Sequence, residues 1–174
     1  VQVGKKILQG KQTQKVLAFY KPVGVTCTER DPHAEKKIMD MIRYPERLTY
    51  AGRLDKDSEG LILLTNDGDL INAMMRGANR HEKEYIVKTD KEITPDFLEK
   101  MAKGIYLKDL DITTRECEIE QIGKFTFRIV LTQGVNRQIR RMCEACGYRV
   151  KALKRIRIMN ILLGDLKPGK WREV

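Results

Sequence analysis

The sequence predicts an α+β domain in which short helices flank a mixed, mainly antiparallel β-sheet. Three observations carry this expectation. A chain of 174 residues is long enough for one domain to bury a core without covalent staples. Strand-like and helix-like stretches interleave along it, with no repeat, low-complexity block or Pro-rich linker to mark an internal boundary. Hydrophobic residues at 41% and charged residues at 33% are the balance of a globular protein, and no apolar run approaches membrane-spanning length.

Residues 15–20 (KVLAFY) read as a strand ended by Lys21-Pro22-Val23-Gly24, because Pro withdraws a donor and Gly permits a turn. Residues 34–42 (AEKKIMDMI) put Ile38, Met39 and Ile42 at helical spacing. A strand near 49–54 and an apolar one at 61–64 (LILL) enclose the polar stretch Asp55 to Gly60, which is therefore a loop between two buried elements. Asn66 or Asp67 caps a short helix bearing Leu70, Ala73 and Met74, and residues 76–80 (RGANR) follow as a basic loop. Residues 84–89 form the next strand. Thr94-Pro95 starts a helix that buries Phe97, Leu98 and Met101 until Gly104 stops it. Strands near 114–120 and 125–132 come next. Asn136 is expected to cap a helix with Ile139, Met142, Cys143 and Cys146 on its apolar face and Gly147 at its end. A last strand, from Tyr148 to about Ile158, alternates Val150, Ala152, Ile156 and Ile158 with basic residues.

The net charge of +10 is unevenly placed. Residues 128–174 hold 12 Lys or Arg against 3 Asp or Glu, whereas residues 1–127 hold 22 against 21. A polyanionic partner is one reading, because cations that neutralise phosphates gain from counterion release. A solvated basic surface that aids solubility is the other. A membrane surface fits less well, since this third lacks a long helix with one basic and one apolar face. Four cysteines without a dense framework and no signal-peptide pattern predict a cytoplasmic protein with reduced thiols.

Few residues offer chemistry. His33 and His81 stand near no cysteine cluster at ligand spacing, so no metal centre is expected. Cys143 and Cys146 share the buried face of a helix, where packing is the plainer reading. A phosphate-binding Gly-rich loop followed by Lys and a hydroxyl residue is missing. The stretch Ala51 to Gly60 (AGRLDKDSEG) differs, because it sets several charges between two apolar strands, where they are costly unless the loop lines a cleft or reaches solvent. Spacing alone leaves three readings: an ordinary exposed hairpin, a catalytic loop, and a carboxylate pair, Asp55 with Asp57, that flanks a glycosidic bond.

The segment Tyr50 to Asp69 (YAGRLDKDSEGLILLTNDGD) closely resembles the GRLD motif of the RNA pseudouridine synthases, in the branch that modifies bacterial ribosomal RNA. The resemblance continues in order through Lys21-Pro22-Val23-Gly24, Lys83-Glu84-Tyr85, residues 133–142 (QGVNRQIRRM), Gly147-Tyr148, Leu153-Lys154-Arg155 and Gly169-Lys170-Trp171-Arg172. It covers the chain from about residue 15, which makes residues 15–174 the expected catalytic domain. Residues 131–148 (LTQGVNRQIRRMCEACGY) followed by RIRIMNI look most like the large-subunit type F enzymes, which act on 23S rRNA. Ser58 departs from the usual Thr but keeps the hydroxyl. Such enzymes carry a small S4-type RNA-binding domain first, and residues 1–14 look like its trailing strand and linker, so the expectation is a fragment.

The resemblance implies a sheet with a central cleft and a reaction that detaches uracil from C1′ and rejoins it through C5, without metal or organic cofactor. It makes Asp55 the nucleophile or base, attacking C1′ or removing the 2′ proton. It makes Arg140 the cation beside it and Tyr85 the ring that stacks on the flipped uracil. Arg53 is the position that fills the vacated stack, and Leu153 an apolar pocket wall. Arg76, Arg80, Arg137, Arg141, Lys154 and Arg155 become candidates for RNA-backbone contacts. Without the resemblance, Arg140 reads as one more phosphate contact and Tyr85 as core. The implied partner is 23S rRNA, with 16S rRNA or tRNA as the other substrates of this branch, and the protein is expected to be a monomer. A ribosome-assembly module that keeps the fold and has lost the reaction is the rival class, which predicts a broken active site.

Overall fold

A computed structural model describes residues 14–27, 42, 48–76 and 81–174, without the side chains of 74–76. The elements are β1 (Val16–Lys21), β2 (Thr49–Ala51), β3 (Glu59–Thr65), α1 (Gly68–Arg76), β4 (Lys83–Thr89), α2 (Pro95–Lys103), β5 (Tyr106–Leu107), β6 (Ile112–Thr113), β7 (Glu118–Gly123), β8 (Thr126–Leu131), α3 (Gln138–Ala145), β9 (Val150–Ile158), β10 (Ile161–Leu162) and β11 (Trp171–Glu173). The helix expected over 34–42 lies outside the described residues except for Ile42, as do residues 1–13.

Seven strands bond in the order β11-β1-β3-β9-β4-β8-β7, with β2 added to β3 and β10 to β9. Every pairing among them is antiparallel except β3 with β9, which pair in parallel through Glu59↔Lys154 and Gly60↔Arg155. This short parallel seam joins a half built on β1 and β3 to a half built on β4, β8 and β9. Gly60 makes the seam possible. Its φ is +116°, and a Cβ there would lie 2.3 Å from the Arg155 carbonyl oxygen.

The apolar run of β3 is explained by burial on both faces. Ile62 and Leu64 pack with Leu17 and Phe19 on one side. Leu61 and Leu63 pack with Ala18 and Ile158 on the other, where Leu70 and Ile71 of α1 cover them. In the second half, Phe97 and Met101 of α2 and Ile139, Met142 and Cys143 of α3 close over Val87, Phe127, Ile129 and Leu153. Cys143 and Cys146 are thus packing residues with free thiols, and burial pushes the Cys143 thiol up to about 12.

Local signals hold in several places. Asp67 Oδ1 accepts from the Asp69 and Leu70 amides and so caps α1, and the Thr94 hydroxyl accepts from the Phe97 amide at the start of α2. Gly147 closes α3 with φ +81°, its amide donating to Glu144 while the Tyr148 amide donates to Cys143.

Two expectations need correction. Asn136 does not cap α3. Arg137 holds the cap position in a left-handed conformation, and Asn136 instead accepts from the Arg141 side chain through its carbonyl and Oδ1. Nor does β9 alternate as expected, because its register against β4 shifts between Glu84 and Tyr85 and again between Lys88 and Thr89. These bulges turn Leu153 and Arg155 inward and leave Ala152 exposed.

Candidate active site

The loop Gly52–Ser58 joins β2 to β3 at the mouth of the seam, and two buried cations hold it by its carbonyl groups. Lys21 is fully enclosed, and its Nζ donates to the carbonyls of Pro22 (2.7 Å), Ser58 (2.8 Å) and Lys56 (3.4 Å). Burial pulls its pKa below the ordinary lysine value, while the carboxylates of Asp57, Asp55 and Glu59 work against that pull. Arg155, only 2% exposed, donates from Nε to the Leu61 carbonyl at 2.8 Å and from its terminal nitrogens to Gly52 and Arg53. Gly24 completes the frame by donating its amide to the Lys56 carbonyl at 2.7 Å. A loop so braced carries its charged side chains outward in a fixed arrangement.

Asp55 and Asp57 then meet two arginines from the start of α3. Arg137 donates from both terminal nitrogens to the two carboxylate oxygens of Asp57, at 3.1 and 2.8 Å, and stands 3.3 Å from Asp55 Oδ2. Arg140 donates to the Asp57 carbonyl at 3.0 Å and to the Ser58 hydroxyl at 3.1 Å, with its other terminal nitrogen 3.6 Å from the Asp57 carboxylate. The guanidinium in contact with Asp55 is therefore that of Arg137, whereas the expected pairing was with Arg140. The Nε of Arg140 is buried and has no hydrogen-bond partner among the described residues. The hydrogen bond from Arg137, with help from Arg140, holds the Asp57 carboxyl below its ordinary value.

Asp55, Ser58, Arg137 and Arg140 line a cleft of about 270 Å³ whose apolar wall includes Tyr85, Leu131, Ile139 and Leu153. Of the expected site residues, Asp55, Tyr85, Arg140, Arg53, Arg137, Leu153 and Arg155 come together here. Lys154 and Arg141 do not line the cleft, and Arg141 is engaged with Asn136 and, at 3.8 Å, Asp109. Arg80 lies outside the described residues, and Arg76 is described by its backbone alone. Arg155, expected as an RNA-backbone contact, is buried and donates to the carbonyls of Leu61, Arg53 and Gly52, so it braces the loop from below.

Sequence reasoning missed Asp57 as the carboxylate that gathers both arginines, Lys21 as the cation under the loop and Lys83 as a lining residue. A lysine directly after a fully apolar strand was the available signal for Lys21, since burial of an ammonium demands acceptors nearby.

Chemically, an open carboxylate beside a guanidinium, facing a partly apolar wall with one aromatic ring, suits attack on or proton removal from a sugar whose planar base lies against that wall. Side-chain exposure of 39% at Asp55 leaves it accessible to such a ligand.

The crystal structure of a pseudouridylate synthase superposes with a TM-score of 0.85 at 27% identity, over 96% of this chain and 73% of that one. The dual-specificity RNA pseudouridine synthase RluF of Escherichia coli (strain K12) is 44% identical over 176 residues, which is 100% of this chain and 60% of the relative. Ribosomal large subunit pseudouridine synthase B of Vibrio cholerae is 35% identical, over 92% of this chain and 51% of the relative. The chain thus spans between half and about three fifths of the length of these curated relatives. The family model for RNA pseudouridylate synthase matches residues 15–145, the span that carries Asp55, Tyr85, Arg137 and Arg140, and the chain belongs to that family.

Proposed function

We propose that this chain is the catalytic part of an RNA pseudouridine synthase that isomerises uridine in the 23S rRNA of the large ribosomal subunit. The observation that carries the proposal is Asp55, which lines a cleft together with Tyr85 and stands 3.3 Å from the Arg137 guanidinium. Asp55 attacks C1′ or removes the 2′ proton as the N1–C1′ bond breaks. Tyr85 stacks on the freed base while it turns, and Leu153 with Ile139 excludes water from it.

The uridine must leave its stack to reach this carboxylate, at a cost of roughly a few kcal/mol, and Arg53 on the exposed rim of the loop is placed to fill the gap. An intact set of Asp55, Tyr85 and Arg140 favours the enzyme over a ribosome-assembly module that has lost its reaction. The large-subunit substrate is supported by the name of the Vibrio cholerae relative. The "dual-specificity" in the RluF name favours a second RNA target beside it. The reaction as proposed needs no cofactor, and a monomer in the cytoplasm is the form in which we place it.

Tritium release from 5-labelled uridine in rRNA tests the proposal. Asp55→Asn, nearly isosteric, is expected to slow release by at least about 10⁴-fold while the unfolding temperature and RNA affinity stay unchanged. Undiminished release by this variant would reject Asp55 as the reacting group.

A further inference from the structure

Lys83 opens β4, and its place in the cleft is set by the strand period. The pairing of β4 with β8 runs unbroken from Lys83↔Leu131 to Lys88↔Thr126, so residues two apart share a face. Lys83 therefore stands on the face of Tyr85 and Val87, and it lines the cleft together with Asp55, Tyr85, Leu131, Leu153 and Arg155. Glu84 points the other way.

Among the described residues the Lys83 ammonium has neither a hydrogen bond nor an ion pair. The carboxylates beside it in sequence are engaged elsewhere: Glu82 with Arg157 at 3.0 Å, and Glu84 with Arg157 at 2.7 Å and Arg128 at 3.3 Å. Burial pulls the Lys83 pKa below the usual lysine value, and the positive Arg155 adds to that pull. A half-buried ammonium facing a second cation and lacking a counterion is costly to maintain. Negative charge delivered into the cleft relieves that cost.

We infer that Lys83 is a catalytic residue of the proposed isomerisation, donating a hydrogen bond to a carbonyl oxygen of the flipped uracil and stabilising the charge that develops there. The inference rests on the synthase reading given above. When the N1–C1′ bond breaks, its electron pair stays with the base, which leaves as an anion with charge on N1, O2 and O4. C1′ is satisfied by an oxygen of Asp55, or by loss of the 2′ proton to it. The base turns, C5 bonds to C1′, and Asp55 is released or returns its proton. The C5 proton is then lost and N1 takes one up, so the product is an isomer of the substrate. Charge on the ring is greatest between breaking and rejoining, and a fixed cation acts there most. An RNA phosphate would also attract an ammonium, but the walls beside Lys83 are Tyr85, Leu131 and Leu153, which suit a planar base better than a hydrated backbone.

The test compares wild-type protein with Lys83→Met under single turnover, on unmodified 23S rRNA containing either uridine or 5-fluorouridine. Loss of the starting nucleoside is followed by nuclease digestion and mass spectrometry. Fluorine draws charge out of the ring and lessens the need for a cation. Lys83→Met should slow uridine by about 10²-fold but 5-fluorouridine by less than about tenfold, with RNA affinity within about twofold of wild type. Its unfolding temperature should hold or rise, because an unpaired buried charge is removed. Lys83→Gln repeats the comparison with a polar side chain, and the same pattern is expected.

Equal slowing on both substrates would overturn the inference, as would an unchanged rate. Weaker RNA binding with a flatter salt dependence would overturn it in favour of a phosphate contact. Wild-type protein inert on rRNA would sink the synthase reading and this inference together, whereas full activity in Lys83→Met sinks the inference alone.

Discussion

Arg137 adopts a left-handed backbone, φ 49° and ψ 38°, at the point where α3 begins. For a residue with a side chain that conformation costs roughly 1–2 kcal/mol, and the paired contact with Asp57 together with the nearby Asp55 is what offsets it. Asp57 thus helps to hold Arg137 beside Asp55, the carboxylate proposed to react. The Asp57 carboxyl is held low in the folded protein, chiefly by the Arg137 hydrogen bond. A carboxyl depressed by folding adds stability that is fully present above its unfolded value, near pH 4, and is lost as pH falls through the folded one. In Arg137→Ala the Asp57 carboxyl should titrate closer to its ordinary value in a carbon-detected NMR titration. The stability gap to wild type should close as the pH falls below about 4. An unmoved Asp57 titration would show that Arg137 does not hold it in solution. The choice between Arg137 and Arg140 was not legible in the sequence, because residues three apart near a helix start look toward the same side. The left-handed turn that swings Arg137 onto the loop has no local signature, since Asn136 offered the better cap by residue type.

Between elements, the decisive contact is the seam of β3 with β9, where two residue pairs join the halves of the sheet. Gly60→Ala would drive a methyl into the Arg155 backbone and strain a positive φ, and should destabilise the protein by about 3 kcal/mol or more in urea unfolding. A loss under about 1 kcal/mol would mean that the strands part freely there. On the opposite face of β4, Glu84 accepts from Arg157 and Arg128 and is held below its ordinary value, first by the Arg157 hydrogen bond. Glu84→Gln should cost about 1–3 kcal/mol at neutral pH, and the difference should fade as the pH drops below the ordinary glutamate range and the wild-type carboxyl is itself protonated. The elements legible in the sequence were those with a strong local cause: β3 from its unbroken apolar run, α2 from Thr94-Pro95, and the end of α3 from Gly147. The β5–β6 pair was missed because two residues a side show no period. The face of β9 was misassigned because bulges shift register without changing composition.

At the scale of the whole molecule, the basic C-terminal third is less free than its composition implies. Arg128 and Arg157 are paired with glutamates, Arg137 and Arg140 with the loop Gly52–Ser58, and Arg155 and Arg172 donate to backbone carbonyls. These cations build the cleft and the sheet around it. The phosphate binding proposed for this chain would therefore fall to a smaller set, of which Lys151 and Lys154 on β9 make no ion pair among the described residues. Removing a cation that displaces counterions reduces the slope of log affinity against log salt by about 0.7–0.9. Removing one engaged within the protein changes stability instead. Lys151→Gln and Lys154→Gln should each flatten the slope by that amount in filter-binding titrations on rRNA, with unchanged unfolding temperature. Arg157→Gln should leave the slope intact and lower the unfolding temperature, because it abandons the Glu82 and Glu84 carboxylates. If Arg157→Gln flattened the slope while the lysine variants did not, the phosphate-binding face would lie on the Glu84 side of the sheet, and the cleft would be approached by RNA from elsewhere.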